Sequence, residues 1–217
     1  MIIIDAQEKL MSKMVRRGEV VGNIAKLIKF AEIAGIPVIL TEQYPKGLGR
    51  TIDDLRELIP DLKPIEKVSF NCFLSEEFRR RLKENGATTL ILVGIEAHIC
   101  VTQTALQGLN KFRVYVIVDA TSSRTEKDLT TAIERMRHEG VVMASTEMAI
   151  YEMLEKAGTD EFKEVLGIIK QETPRPSNAP EKSPRMRRRN TIARSATYRP
   201  GKSLTSEKTT PKENRRR

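Results

Sequence analysis

The stretch "TTLILVGIEAHICVTQTALQGL", residues 88–109, decides how the chain is read. Its first seven residues are apolar and largely β-branched, the pattern of a strand buried on both faces. From Val101 onward the apolar residues recur at helical spacing. Between the two lie a glycine, a turn and a thiol, Cys100. A buried strand that passes through a turn into a helix is the repeating unit of a parallel sheet.

The same alternation runs outward in both directions. Strands are predicted at "IIID" (2–5), "IPVILTE" (36–42), "PIEKVSF" (64–70), "RVYVIVDA" (113–120) and "VVMAST" (141–146). Helices are predicted over 19–34, closed by Gly35, and after Ser75, a cap followed by Glu76 and Glu77. Two more follow: one from the Thr125 cap to Gly140, and a last pair in "EMAIYEMLEKAG" and "DEFKEVLGIIK". The expected fold class is α/β: a three-layer, doubly wound sandwich with a mainly parallel sheet of about six strands and helices on both faces.

Composition sets the outer limits. The chain has 217 residues, 39% of them hydrophobic and 31% charged, which suits a soluble globular protein. Two cysteines, Cys72 and Cys100, cannot form a disulfide framework, which favours a reducing compartment. No apolar run reaches the roughly 18 residues of a membrane helix. "MIII" meets Asp5 at once and does not read as a secretory leader. The expected location is cytoplasmic, with "RMRRR" (185–189) offering a nuclear address.

The net charge of +9 is not spread evenly. Residues 1–170 carry 24 Lys+Arg against 25 Asp+Glu, whereas residues 171–217 carry 14 against 4. The reading is therefore a near-neutral domain, 1–170, and a basic tail, 171–217, too poor in apolar residues to offset its ordering entropy. The tail offers nonspecific contact with nucleic acid or an acidic surface, basophilic kinase sites at "RRRNT" (187–191), or no partner at all. Tyr198 is its single aromatic, which argues against sequence-specific stacking on bases.

In doubly wound sheets, ligands bind beyond the carboxyl ends of the strands. The reactive side chains expected there are Asp5, Glu42, Gln43, Lys67 and Cys100, then Asp119 and "TSSR" (121–124). Singly, each has a plain reading: Asp5 as a turn cap, Lys67 as a solvated charge on an edge strand, Cys100 and Cys72 as small buried hydrophobes. Jointly, an acid, an amine and a thiol at three strand ends form a nucleophilic constellation. A helix N-terminus and a nearby ammonium would both favour the thiolate, giving Cys100 a depressed pKa.

Asp5 in "IIIDAQ", Lys67 in "EKVSFNCF" and Cys100 in "LVGIEAHICV" resemble the three motifs of the isochorismatase-like cysteine hydrolases, in order, over about residues 2–170. "TEQYPKGLG" (41–49), "DATSSRTEKD" (119–128) and "RMRHEGVVMASTEMAIYEML" (135–154) are similar to the isochorismatase domain-containing subgroup. The resemblance implies that Cys100 attacks a carbonyl carbon to form a thioester and Asp5 carries the proton. It also implies that Lys67 supports the charges and that the backbone N–H groups of Glu96 and Cys100 hold the oxyanion. It further implies a cis peptide at Ile95–Glu96, with Gly94 giving the backbone room to turn.

Metal-binding relatives in that superfamily carry an aspartate and several histidines beside the pocket. This chain has only His98 and His138, and "TEQYPKGLGRT" has neither, so no metal and no cofactor is expected. Glu42, Gln43, Phe70 and His98 are the candidate pocket-lining residues, with His98 equally readable as a satisfied turn histidine. Relatives usually have several residues ahead of the first strand, so either the strand is cut to about three residues, which would loosen Asp5, or the true start lies upstream. The partners implied are a small-molecule substrate and further copies of the chain, with no membrane. Two functions follow: a metal-independent hydrolase of a small amide-like compound, or a catalytically silent scaffold that interacts through its tail.

Overall fold

The computed structural model describes residues 1–170; the expected basic tail, 171–217, lies outside the described residues. Six strands form one sheet: β1 (Ile2–Ile4), β2 (Ile39–Gln43), β3 (Ile65–Lys67), β4 (Thr89–Ile95), β5 (Arg113–Ser122) and β6 (Val142–Ala144). Every pairing is parallel and the order is β3-β2-β1-β4-β5-β6. The expected α/β class is thus present, and the sheet is parallel throughout.

The helices are α1 (Glu8–Met11), α2 (Arg17–Ile33), α3 (Pro45–Leu48), α4 (Asp53–Arg56), α5 (Glu76–Glu84), α6 (Thr102–Gly108), α7 (Glu126–His138), α8 (Thr146–Leu154) and α9 (Asp160–Ile169). The expected caps are formed: Ser75 accepts from Phe78 N–H and Thr125 from Asp128 N–H. Each satisfies an amide that the first helical turn leaves without a partner. The first, third and fourth helices are single turns, too short to show a periodicity in sequence.

Alternation along the strands divides the core. Ile3, Leu40 and Val93 pack with Ile24, Leu27 and Phe30 of α2 and with Ile150 of α8 on one face. Ile2, Ile4, Ile39, Leu90 and Leu92 pack with Phe78 of α5, Ala105 of α6 and Met136 of α7 on the other. These are the three layers. Burying each such side chain contributes roughly 1.5–3 kcal/mol, enough to fix which face each strand residue takes.

The winding reverses between β1 and β4, adjacent strands whose connections leave in opposite directions. In doubly wound sheets the ligand crevice belongs at such a reversal, beyond the strands' carboxyl ends. Gly94 makes the approach of the two strands possible. It sits at φ +106°, opposite Ile4, and a Cβ there would lie 2.1 Å from the Ile4 carbonyl oxygen. Beyond it, β5 leaves register with β4 after Val116 and rejoins it at Thr121, which brings Thr121–Ser123 beside the turn that follows β4.

Candidate active site

β1 is three residues long in this chain, yet Asp5 just beyond it is held firmly. Its N–H donates to the Thr41 carbonyl at 3.2 Å, and its backbone turns at φ +49°, a region that aspartate tolerates better than most residues. The carboxylate is fully buried. Oδ1 accepts from Thr41 Oγ1 at 2.7 Å and Oδ2 from Lys67 Nζ at 2.6 Å. The expected loosening of Asp5 is absent because β2 and β3 grip it from the side.

Lys67 ends β3, the sheet's edge strand, but its side chain is not solvated. Ile65 and Lys67 point inward while Glu66 points out, so the period of two delivers the amine to the crevice. Nζ also donates to Gln43 Oε1 at 2.7 Å. The Gln43 amide cannot flip, since its Nε2 is held by the Val68 carbonyl at 2.6 Å. Gln7, two residues after Asp5, fixes the Gln43 backbone: Gln43 N–H donates to Gln7 Oε1 at 2.7 Å and Gln7 Nε2 returns to Gln43 O at 3.0 Å. Burial lowers the ammonium's pKa, but the facing Asp5 carboxylate and both thiols outweigh it, and the net direction is upward.

Cys100 lies in a wide π-type turn, Ala97–Val101, that runs directly into α6. The peptide between Ile95 and Glu96 is cis. The Glu96 carbonyl accepts the N–H groups of Ile99 and Val101, which shapes the turn. Cys100 is 6% exposed, and its thiol lies close enough to the Asp5 carboxylate to feel its charge. Its pKa is driven well above the ordinary thiol range, first by burial and then by Asp5, with Lys67 pulling the other way. The expected depressed pKa is therefore corrected. A turn and an ammonium favour thiolate, but a sealed site and an adjacent carboxylate favour the neutral thiol more strongly.

Asp5, Lys67 and Cys100 are thus brought together, from β1, β3 and the turn after β4. Cys72 stands behind them, fully buried, its N–H donating to Thr104 Oγ1 at 3.1 Å. Burial pushes its pKa up to about 11. Sequence reading missed Thr41, Thr104 and Gln7. For Thr41 the signal was present: it shares a strand face with Gln43, two residues along.

The remaining candidates are placed differently. Glu42, between Thr41 and Gln43, faces the other way and is committed to Thr51, accepting its N–H at 2.7 Å and its Oγ1 at 2.8 Å. Phe70 is 52% exposed and lies on the surface after β3. His98 is half-buried, with Nδ1 2.9 Å from Ser123 Oγ. The Glu96 carboxylate accepts from Arg124 Nε at 2.8 Å, which ties the turn to the end of β5. Asp119 accepts the N–H and hydroxyl of Thr146 and so caps the entry to α8. Beside β3, a groove of about 520 Å³ reaches Lys67 between Tyr44, Lys46, Val68 and Leu74. Among the described residues, no three His, Cys, Asp or Glu side chains gather as a metal site would require.

A buried carboxylate paired with an ammonium and set beside a thiol can move a proton from sulfur and return it to a leaving group while the sulfur attacks. Comparisons with known proteins agree on the family of the chain. Residues 1–148 match the isochorismatase domain. Isochorismatase domain-containing protein 2 of Danio rerio is 36% identical over 176 residues, covering 80% of this chain and 88% of the relative. The structure of the MAR1 ribonuclease from Caenorhabditis elegans is 35% identical, with a TM-score of 0.73 over 84% of this chain and 94% of that one. YcaC from Pseudomonas aeruginosa, solved with hexane-2,5-diol and covalent acrylamide, is 25% identical, with a TM-score of 0.71 over 77% and 86% of the two chains.

Proposed function

The chain belongs to the isochorismatase family, and from that membership we propose that it is a hydrolase cleaving a small amide-like C–N bond through a thioester on Cys100. Asp5 takes the thiol proton as sulfur adds to the carbonyl carbon. The tetrahedral oxyanion rests on the backbone N–H groups of Glu96 and Cys100, a type of contact worth about 3 kcal/mol per donor. Asp5 then gives its proton to the departing nitrogen, the C–N bond breaks, and ammonia or an amine leaves. Water, deprotonated by the same carboxylate, cleaves the thioester and restores the thiol. Lys67 keeps the carboxylate charged between these steps. Such proton transfer typically contributes a factor of about 10²–10⁴.

The observation that carries this reading is the Asp5 carboxylate paired with Lys67 and set beside the Cys100 thiol at the reversal of the sheet. A silent scaffold has no use for a buried ion pair whose desolvation rivals its attraction. The covalent acrylamide in the YcaC structure, a thiol-reactive amide, also supports a nucleophilic site in this fold. The test is ammonia release from a panel of small amides and N-carbamoyl compounds, comparing the native chain with Cys100→Ser. The reading requires turnover of at least one compound that Cys100→Ser abolishes. An oligoribonucleotide belongs in the panel because one neighbour is named a ribonuclease. RNA cleavage that survives Cys100→Ser would overturn the proposal. Self-association is proposed as well, supported by exposed Tyr44, Val68 and Leu74 around the groove, and sedimentation of the native chain as a monomer would refute it.

A further inference from the structure

Resting on the proposed hydrolase reading, we propose that Thr41 is a positioning residue for Asp5: its hydroxyl keeps the carboxylate charged for accepting the thiol proton and makes the protonated acid quick to release it. Two observations converge on this role.

The first is the direction of the bond. Oδ2 of Asp5 is occupied by Lys67 at 2.6 Å, and Oδ1 takes the Thr41 hydroxyl at 2.7 Å. A hydroxyl has one proton, and this one faces an acceptor-only group. A bond donated to a carboxylate weakens once that oxygen is protonated, so it opposes proton capture and favours proton return.

The second is the backbone. The Thr41 carbonyl also accepts the Asp5 N–H, so one residue holds Asp5 by main chain and side chain together. The titratable groups facing Asp5 are Lys67 from β3, Cys72 from the turn before α5 and Cys100 from the turn after β4.

The experiment measures the rate of ammonia release against pH, in the full chain, on an amide of the panel that the native protein turns over. Thr41→Val removes the hydroxyl at constant shape, Thr41→Ser restores it without the methyl, and Thr41→Ala is a second hydroxyl-free form should the valine fail to fold. Thermal melting is recorded in parallel. The acid limb of the profile is expected to move to higher pH by about one unit in Thr41→Val or Thr41→Ala. In Thr41→Ser it returns toward its native position. A role in stability alone would lower the melting temperature and leave the limb in place. An unmoved limb, or one displaced equally in the serine variant, overturns the positioning role. Asp5→Asn separates this outcome from failure of the underlying reading, because a limb that persists without the carboxylate refutes Asp5 as the proton carrier itself.

Discussion

Lys67 Nζ lies 2.6 Å from Asp5 Oδ2, and both side chains are sealed from solvent. Two opposite charges held this closely in a dry crevice lose most of their hydration and keep each other ionised. Each depends on the other, and most of what the site can do follows from that dependence.

Removing one charge should cost far more than removing both. Lys67→Met leaves an uncompensated buried carboxylate and is expected to destabilise the chain by about 3–5 kcal/mol. Adding Asp5→Asn to Lys67→Met should recover a substantial part of that loss. Urea unfolding of the two single variants and the double variant forms the cycle, and strictly additive losses would contradict the coupling.

Glu42 is expected to matter for stability and not for chemistry. Its carboxylate satisfies both the N–H and the hydroxyl of buried Thr51. Glu42→Ala strands those donors, at about 2 kcal/mol. The melting temperature should fall while Cys100 alkylation keeps its native rate. A loss of Cys100 reactivity without a loss of stability would place Glu42 among the reacting groups.

Cys72 predicts a loss of stability in alkali. Its thiol is raised from 9.0 to about 11 in the folded chain, so below pH 9 it is protonated in both states and contributes no pH dependence. Above pH 9 the unfolded thiol ionises while the folded one cannot, and stability falls until about pH 11. Two pH units correspond to at most roughly 3 kcal/mol. Cys72→Ser should flatten that part of the stability curve measured by urea titration at each pH. An unchanged slope would mean that the thiol is not buried as described.

Gly94 and Gly140 separate backbone conformation from close approach. Both have positive φ, +106° and +99°, but only at Gly94 does a new Cβ strike backbone, whereas Gly140 has nothing within 4 Å. Gly140→Ala should cost about 1 kcal/mol. Gly94→Ala should cost several times more, through forced separation of β1 and β4, and comparison of the two melting temperatures decides it.

The fold was readable in the sequence because burial repeats along it. Apolar runs at 89–95 and 113–118 and capping residues Ser75 and Thr125 mark their own elements through local chemistry. The approximate placement of Asp5, Lys67 and Cys100 was readable too, since strand ends in a doubly wound sheet point to one crevice. The depth of that crevice was not. Lys67 reads as a solvated edge charge until the strand's inward face is known, and the sign of the Cys100 shift depends on burial that no motif encodes. Glu42 and Gln43 differ by one position, so a small uncertainty in register exchanges a residue of the site for one of the opposite face. Thr41 escaped notice because a threonine in a buried strand reads as β-branched filler, and its hydroxyl has meaning only once Asp5 is placed beside it.

The central claim is that Cys100 answers to the charges of Asp5 and Lys67. The most direct measurement is the rate of Cys100 alkylation by iodoacetamide at neutral pH in the native chain, Lys67→Met and Asp5→Asn, with the Cys72 peptide as the buried internal reference. Losing the ammonium leaves the carboxylate beside the thiol, and the rate should fall about tenfold or more. Losing the carboxylate leaves the ammonium to stabilise the thiolate, and the rate should rise, although ammonia release from any substrate is lost with the proton carrier. Equal rates in all three proteins would contradict the account.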